Sequence, residues 1–288
     1  MQHQNPIFSN IQALLSAKLQ LIEEHFQSDT LVFCGEIVNG LEREFLRNLV
    51  DLRHETKRFD KLLIILTTGG GSAEVVERFV QIARYHYQEV NFLVPNCAYS
   101  AGTIFCMSGN NIYMDYFSVL GPIDPQVPNK EGKYVPALGY LDKIQELLEK
   151  SSNNELTDVE FSIIQNFDLA ELRSYEQARE YSVDLLKKWL VQYKFQNWTN
   201  HKNGASVTLQ EKEQRAEEIA DMLSDNNKWK VHGRPIGIKT LTNDLKLKIE
   251  DYSQDGHKQS LIRDYHNLMQ DFIRTYQIQF FIQSRLTF

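Results

Sequence analysis

The sequence predicts an α/β protein built on parallel strands joined by right-handed crossovers. Strand-like apolar runs alternate with helical patterns between residues 31 and 114, the order that βαβ units produce. Two loops of small residues, Thr67–Ser72 and Asn96–Gly102, follow consecutive strands. Loops at the carboxyl ends of parallel strands are where such sheets carry their sites, so these two are expected to converge.

Taken in order, residues 10–27 carry apolar positions at helical spacing, with Ser9 or Asn10 as a cap. Leu31–Ile37 reads as a strand, and a charged amphipathic helix follows Gly40 up to about His54. Lys61–Leu66 is the clearest buried strand, with a helix from Ala73 to about Tyr87 behind it. Phe92–Val94 and Asn111–Met114 are further strands, and a helix begins at Ser100–Gly102. From Phe117 the chain is turn-rich, with prolines at 122, 125 and 128, which argues against a regular element. Helices are expected at 137–150, at about 155–194 as one long charged stretch, and from a Thr208/Glu211 capping box to about Ser224. A loop at Lys228–Ile236 leads into a short helix near Lys239–Lys246, and the aromatic tail from His257 reads as a packing or oligomer-forming helix.

Composition narrows the function classes. With 288 residues, 42% hydrophobic, the chain can bury a large core. A formal charge of −7 disfavours non-specific nucleic-acid binding and gives no polybasic membrane patch. No apolar run reaches the ~20 residues of a membrane span, and the first residues lack the pattern of a signal peptide. The three cysteines, Cys34, Cys97 and Cys106, lie in or beside apolar segments, as reduced core thiols of a cytoplasmic protein do.

The chemistry-bearing stretch is Asn96–Gly102. A serine where a strand turns into a helix has its hydroxyl raised at the sheet rim, and the next N–H sits at a helix N-terminus. Ser100 is so placed, as a nucleophile with half an oxyanion hole would be. The same run also suits a plain small-residue βα turn, and Cys97 is a second nucleophile to weigh, its position inside the strand favouring packing. The glycines of Thr67–Ser72 lack the Lys-Ser/Thr of a phosphate loop but allow a substrate backbone, or an oxyanion, to approach main-chain N–H groups. Of the eight histidines, His232 is the best base, in a loop between Trp229 and Pro235. Lys130, Lys133 and Lys143 are the alternatives, since a desolvated lysine can activate a serine. Asp124 stands between two prolines, where it could orient a base or cap a turn. No metal-ligand spacing occurs, and neither metal nor cofactor is expected.

Leu66–Ser72 followed by Ala98–Gly102 resembles the Clp/crotonase fold of serine peptidases, and Ser118–Gln126 is most similar to the serine dehydrogenase proteinase family. The resemblance implies a spiral of ββα units with added helices at both termini. Residues 1–28 would form an N-terminal helix and 29–252 the peptidase domain, with a helical insertion at about 137–224. Residues 253–288 would then be a helical oligomerisation or packing segment. It implies Ser100 as nucleophile, oxyanion donors from Gly70, Gly71 and Ala101, and a partner exchange in which His232 is the base and Asp124 orients it. Membrane-linked relatives use a serine–lysine dyad, for which Lys133 or Lys143 would stand. The expected activity is hydrolysis of a polypeptide by a homo-oligomer, with a partner protein also conceivable. A crotonase-type acyl-CoA enzyme and a non-catalytic scaffold, docking through the charged helices at 155–224, are the other classes.

Overall fold

The long strands form because aliphatic runs such as Leu-Leu-Ile-Ile-Leu fill both faces of a sheet. The computed structural model describes residues 6–54, 59–124, 126–128 and 134–287. Helix α1 (Pro6–Phe26) precedes strand β1 (Asp29–Cys34), α2 (Glu42–His54), β2 (Lys61–Thr67) and α3 (Ala73–His86). Next come β3 (Glu89–Leu93), β4 (Cys97–Ala98), α4 (Ala101–Met107), β5 (Ile112–Met114) and β6 (Val119–Leu120). A β7–β8 hairpin (Gln126–Pro128, Tyr134–Pro136) leads to α5 (Ala137–Ser152), α6 (Asp158–Gln165) and α7 (Leu169–Trp189), which ends in a π-helical turn at Leu190–Lys194. The chain closes with α8 (Leu209–Leu223), α9 (Asn226–Trp229), α10 (Ile238–Asn243), β9 (Glu250–Asp251), α11 (Gly256–Tyr276) and β10 (Phe281–Gln283).

The main sheet has the order β10-β1-β2-β3-β5-β9, parallel except for β10 at the edge. Each long strand is followed by a short second one that leaves the sheet. These pair in turn: Ile37 with Gly71, Thr68 with Ala98, Ala98 with Leu120, and Leu120 with Ile236. Strand, short strand and helix therefore repeat as the spiral of ββα units that the resemblance implied.

Strand pleating sends alternate residues to opposite faces. Leu31, Phe33, Leu62, Ile64 and Leu66 enter the larger core, under α2, α3, α4, α7 and α8. Val32, Leu63, Ile65 and Leu93 enter a second core roofed by Leu15, Leu19 and Ile22 of α1 and by Tyr265, Met269 and Phe272 of α11. A buried ionic group ties the tail to this face, with Arg285 Nη1 2.7 Å from Asp29 and 3.1 Å from Glu23.

Several local expectations are corrected. Ser9 and Asn10 lie inside α1, which already runs from Pro6. The charged stretch at 155–194 is broken at Asn166–Asp168, because Asp168 accepts Ala170 and Glu171 N–H groups and starts a new helix. Thr208 and Glu211 do form the reciprocal capping box. The tail is not helical to its end. Gln277 turns left-handed (φ 52°) and releases Phe281–Gln283 to pair with β1. The turn-rich run after Phe117 contains two short strands, β6 ahead of Pro122 and β7 ending on Pro128.

Residue His266 of α11 is buried beneath the end of β2, its Nε2 3.3 Å from Thr67 Oγ1 and 3.5 Å from Gln270 Nε2. Burial, helped by the charge of Arg263, pushes its pKa down to about 4. The native state thus prefers the neutral ring, and stability is full above the unfolded value near 6.5 and falls as pH drops from there to about 4. The loss is on the order of 3 kcal/mol. Urea unfolding across this window will show a falling midpoint that is flatter in a His266→Gln variant. Parallel acid limbs in the two proteins would contradict the assignment.

Candidate active site

The two loops singled out by sequence meet. Thr68 N–H donates to Cys97 O at 3.0 Å and Tyr99 N–H to Thr68 O at 3.1 Å, so the glycine bend and the serine strand share one register. Gly70 and Gly71 have φ of +115° and +137°, a region side chains rarely enter. A Cβ on Gly71 would stand 2.1 Å from Ile37 O, and one on Gly70 would stand 2.9 Å from Ser100 Cβ and 3.5 Å from its Oγ. Glycine is required at both because backbone passes backbone there, and Gly70 lies directly against Ser100.

Ser100 caps α4 with φ 51° and ψ −117° and makes no side-chain capping bond. A non-glycine residue in this conformation costs on the order of 1–3 kcal/mol and persists where neighbours over-determine it. The sharp strand-to-helix turn lifts the half-buried side chain clear of the helix axis. Ala101 N–H begins the helix, where amides lack intrahelical acceptors. Ile37 bonds Gly70 O at 2.8 Å and Ser72 N at 2.8 Å. Gly71's own N–H therefore faces away from Ile37, toward the side on which Ala98 and Ser100 run. Gly70 N–H, expected as a donor too, is instead engaged by Thr68 Oγ1 at 3.0 Å.

Asp124 and His232 are brought together, with His232 Nδ1 3.9 Å from Asp124 Oδ2. That is ion-pair distance, beyond a hydrogen bond. Both side chains are mostly buried, in a recess with Pro122 and Trp229 whose lining does not include Ser100. Burial lowers the His232 pKa below 6.5, which keeps the ring neutral and able to accept a proton. The recess is joined to the serine through packing. Tyr99 lies against Gly121, whose N–H donates to Thr103 Oγ1 of α4 at 3.0 Å, and Ile236 pairs with Leu120.

The other candidates separate. Lys143 is half exposed on α5, paired with Glu146 at 2.9 Å. Lys130 and Lys133 lie outside the described residues. Cys97 lines an open cleft of about 550 Å³ beside the glycine bend, with Cys34, Glu36, Thr68 and Phe280. Burial pushes the thiols of Cys97 and Cys34 up, away from the thiolate a nucleophile needs. Among the described residues, no cluster of three His, Cys, Asp or Glu side chains could hold a metal ion, and no helix is long and apolar enough to cross a membrane. Thr68 and Thr103, which bind the loops together, escaped the sequence reading. The signal for Thr68 was a hydroxyl two residues before a glycine, as in side-chain turns.

Two uncharacterized proteins of Methanocaldococcus jannaschii are similar to this chain. One is 29% identical over 124 residues, 43% of this chain and 38% of its own length. The other is 28% identical over 140 residues, 45% of this chain and 47% of its own length. The chain thus spans less than half the length of these curated relatives. Among solved structures, a 1510-N membrane-bound stomatin-specific protease in complex with a substrate peptide aligns at 14% identity and TM-score 0.46, over 77% of this chain and 74% of that one. ClpP1 from Listeria monocytogenes aligns at 11% identity and TM-score 0.40, over 80% of this chain and 94% of that one. The family profile described as ClpP-like SDH-type serine proteinase matches residues 44–208. That span exceeds half of the 288 residues and takes in Gly70, Gly71, Ser100, Ala101 and Asp124, though not His232. The chain belongs to the ClpP-like SDH-type serine proteinase family.

Proposed function

We propose that this chain hydrolyses peptide bonds of a polypeptide with Ser100 as nucleophile. The observation that carries the reading is the Ser100 backbone, forced to φ 51° and ψ −117° at a strand-to-helix turn directly against Gly70. Strain of this kind is retained where it aims a reacting group.

In this mechanism Ser100 Oγ attacks the scissile carbonyl carbon and its proton passes to the neutral imidazole of His232. The carbonyl oxygen becomes an alkoxide that accepts hydrogen bonds from Gly71 N–H and Ala101 N–H. His232 then protonates the leaving amine as the tetrahedral intermediate collapses to the acyl-enzyme. A water deprotonated by the same ring attacks the ester and restores the hydroxyl. Asp124, buried beside Nδ1, steadies the imidazolium that forms. Each oxyanion donor is worth on the order of 10²–10³ in kcat. Self-association and cytoplasmic residence belong to the same proposal. Val159 and Phe161 of α6 and Leu169 at the start of α7 are exposed apolar side chains available for contact between copies.

A fluorophosphonate probe should label Ser100, and Ser100→Ala should abolish both labelling and cleavage of an unfolded protein while leaving the fold intact. Cleavage by the Ser100→Ala protein at the wild-type rate would refute the assignment. The base must be neutral to work, and burial lowers its pKa. The acid limb of kcat/KM is therefore expected below pH 6.5, and His232→Ala should remove that limb together with most of the activity. A limb well above 7, or a fully active His232→Ala protein, would transfer the role to an amine.

A further inference from the structure

Thr68 is the residue through which the glycine bend and the nucleophile strand are joined. We infer that its hydroxyl decides which amide of the bend faces the oxyanion, making Thr68 a positioning residue for the reaction. The inference rests on the peptidase reading above.

Thr68 is 2% exposed, and the two branches of its side chain do different things. Oγ1 accepts the Gly70 N–H at 3.0 Å and lies 3.3 Å from Gly70 O, closing a side-chain turn over the bend. The methyl Cγ2 fills the space above Gly102, where an added Cβ would stand only 2.4 Å away. The backbone of Thr68 meanwhile bonds both Cys97 O and Tyr99 N–H, fixing the strand one residue short of Ser100.

Consecutive glycines at φ +115° and +137° have many conformations open to them, and nothing in their own side chains selects one. Ile37 holds one edge of the bend through Gly70 O and Ser72 N. The Thr68 hydroxyl holds the other by engaging Gly70 N–H. With Gly70 turned inward, Gly71 N–H is the amide left facing the Ser100 side. An oxyanion donor acts only within about 2.7–3.1 Å of the developing charge, and a displacement near 1 Å costs about 10²-fold. Removing the hydroxyl frees Gly70 N–H and lets the bend relax, while Ser100 itself is untouched.

Thr68→Val keeps the shape and deletes the hydroxyl, whereas Thr68→Ser keeps the hydroxyl and deletes the methyl. Thr68→Val is expected to lose on the order of 10²-fold in kcat with KM nearly unchanged, as for a lost oxyanion donor. Its affinity for a peptide boronic acid, whose adduct places an oxygen in the hole, should fall in parallel. Thr68→Ser should stay within a few-fold of wild type in both. Wild-type activity in Thr68→Val, or an equal loss in Thr68→Ser, overturns the inference. Should Thr68→Val fail to fold, Thr68→Ser alone decides. Near-native kcat supports the hydroxyl, and a loss of about 10²-fold shows that the methyl matters instead. A wild-type protein that neither takes the fluorophosphonate probe nor cleaves peptide would refute the peptidase reading itself, a result separable from any Thr68 effect.

Discussion

The parallel pairing of Thr68 with Ala98 is the constraint on which the rest depends. The main sheet brings the two loops to the same edge but leaves their relative height open. The short second strands settle it, because bonds on either side of Thr68 lock the bend to the chain that carries Ser100. Everything packed around this contact is small. Gly70, Gly71, Gly102 and Gly121 each have no room for a β-carbon, because neighbouring chain approaches them closely.

Burial then sorts the titratable groups. The thiols beside the bend are held protonated, Lys143 stays in solvent, and the His232 ring is kept neutral next to a buried carboxylate. Each environment follows from which face of its element the residue occupies. The recess around His232 comes from the segment after α9 folding back so that Ile236 can pair with Leu120, which also places Asp124 opposite the ring.

Much of this was legible in the sequence, for physical reasons. Continuous apolar runs and the small residues after them gave the parallel sheet and the working edge. The turn at Ser100 followed from a strand running straight into a helix. What was not legible turned on facing and hydrogen-bond occupancy. Gly70 and Gly71 are chemically identical in sequence, and their amides differ through contacts made elsewhere, Gly70 N–H with Thr68 Oγ1 and the flanking groups of Gly71 with Ile37. The exposure of Lys143 depends on the orientation of α5, which its own residues do not fix. The break before α7 rests on one carboxylate cap, and α11 stops at a left-handed Gln277, a residue type that carries no stop signal.

A crystal structure of the protein with a peptide boronic acid bound tests the central claim most directly. The account predicts boron bonded to Ser100 Oγ, with one boronate oxygen within about 3 Å of both Gly71 N and Ala101 N. Boron on any other residue, or an oxygen turned away from those two amides, would contradict it.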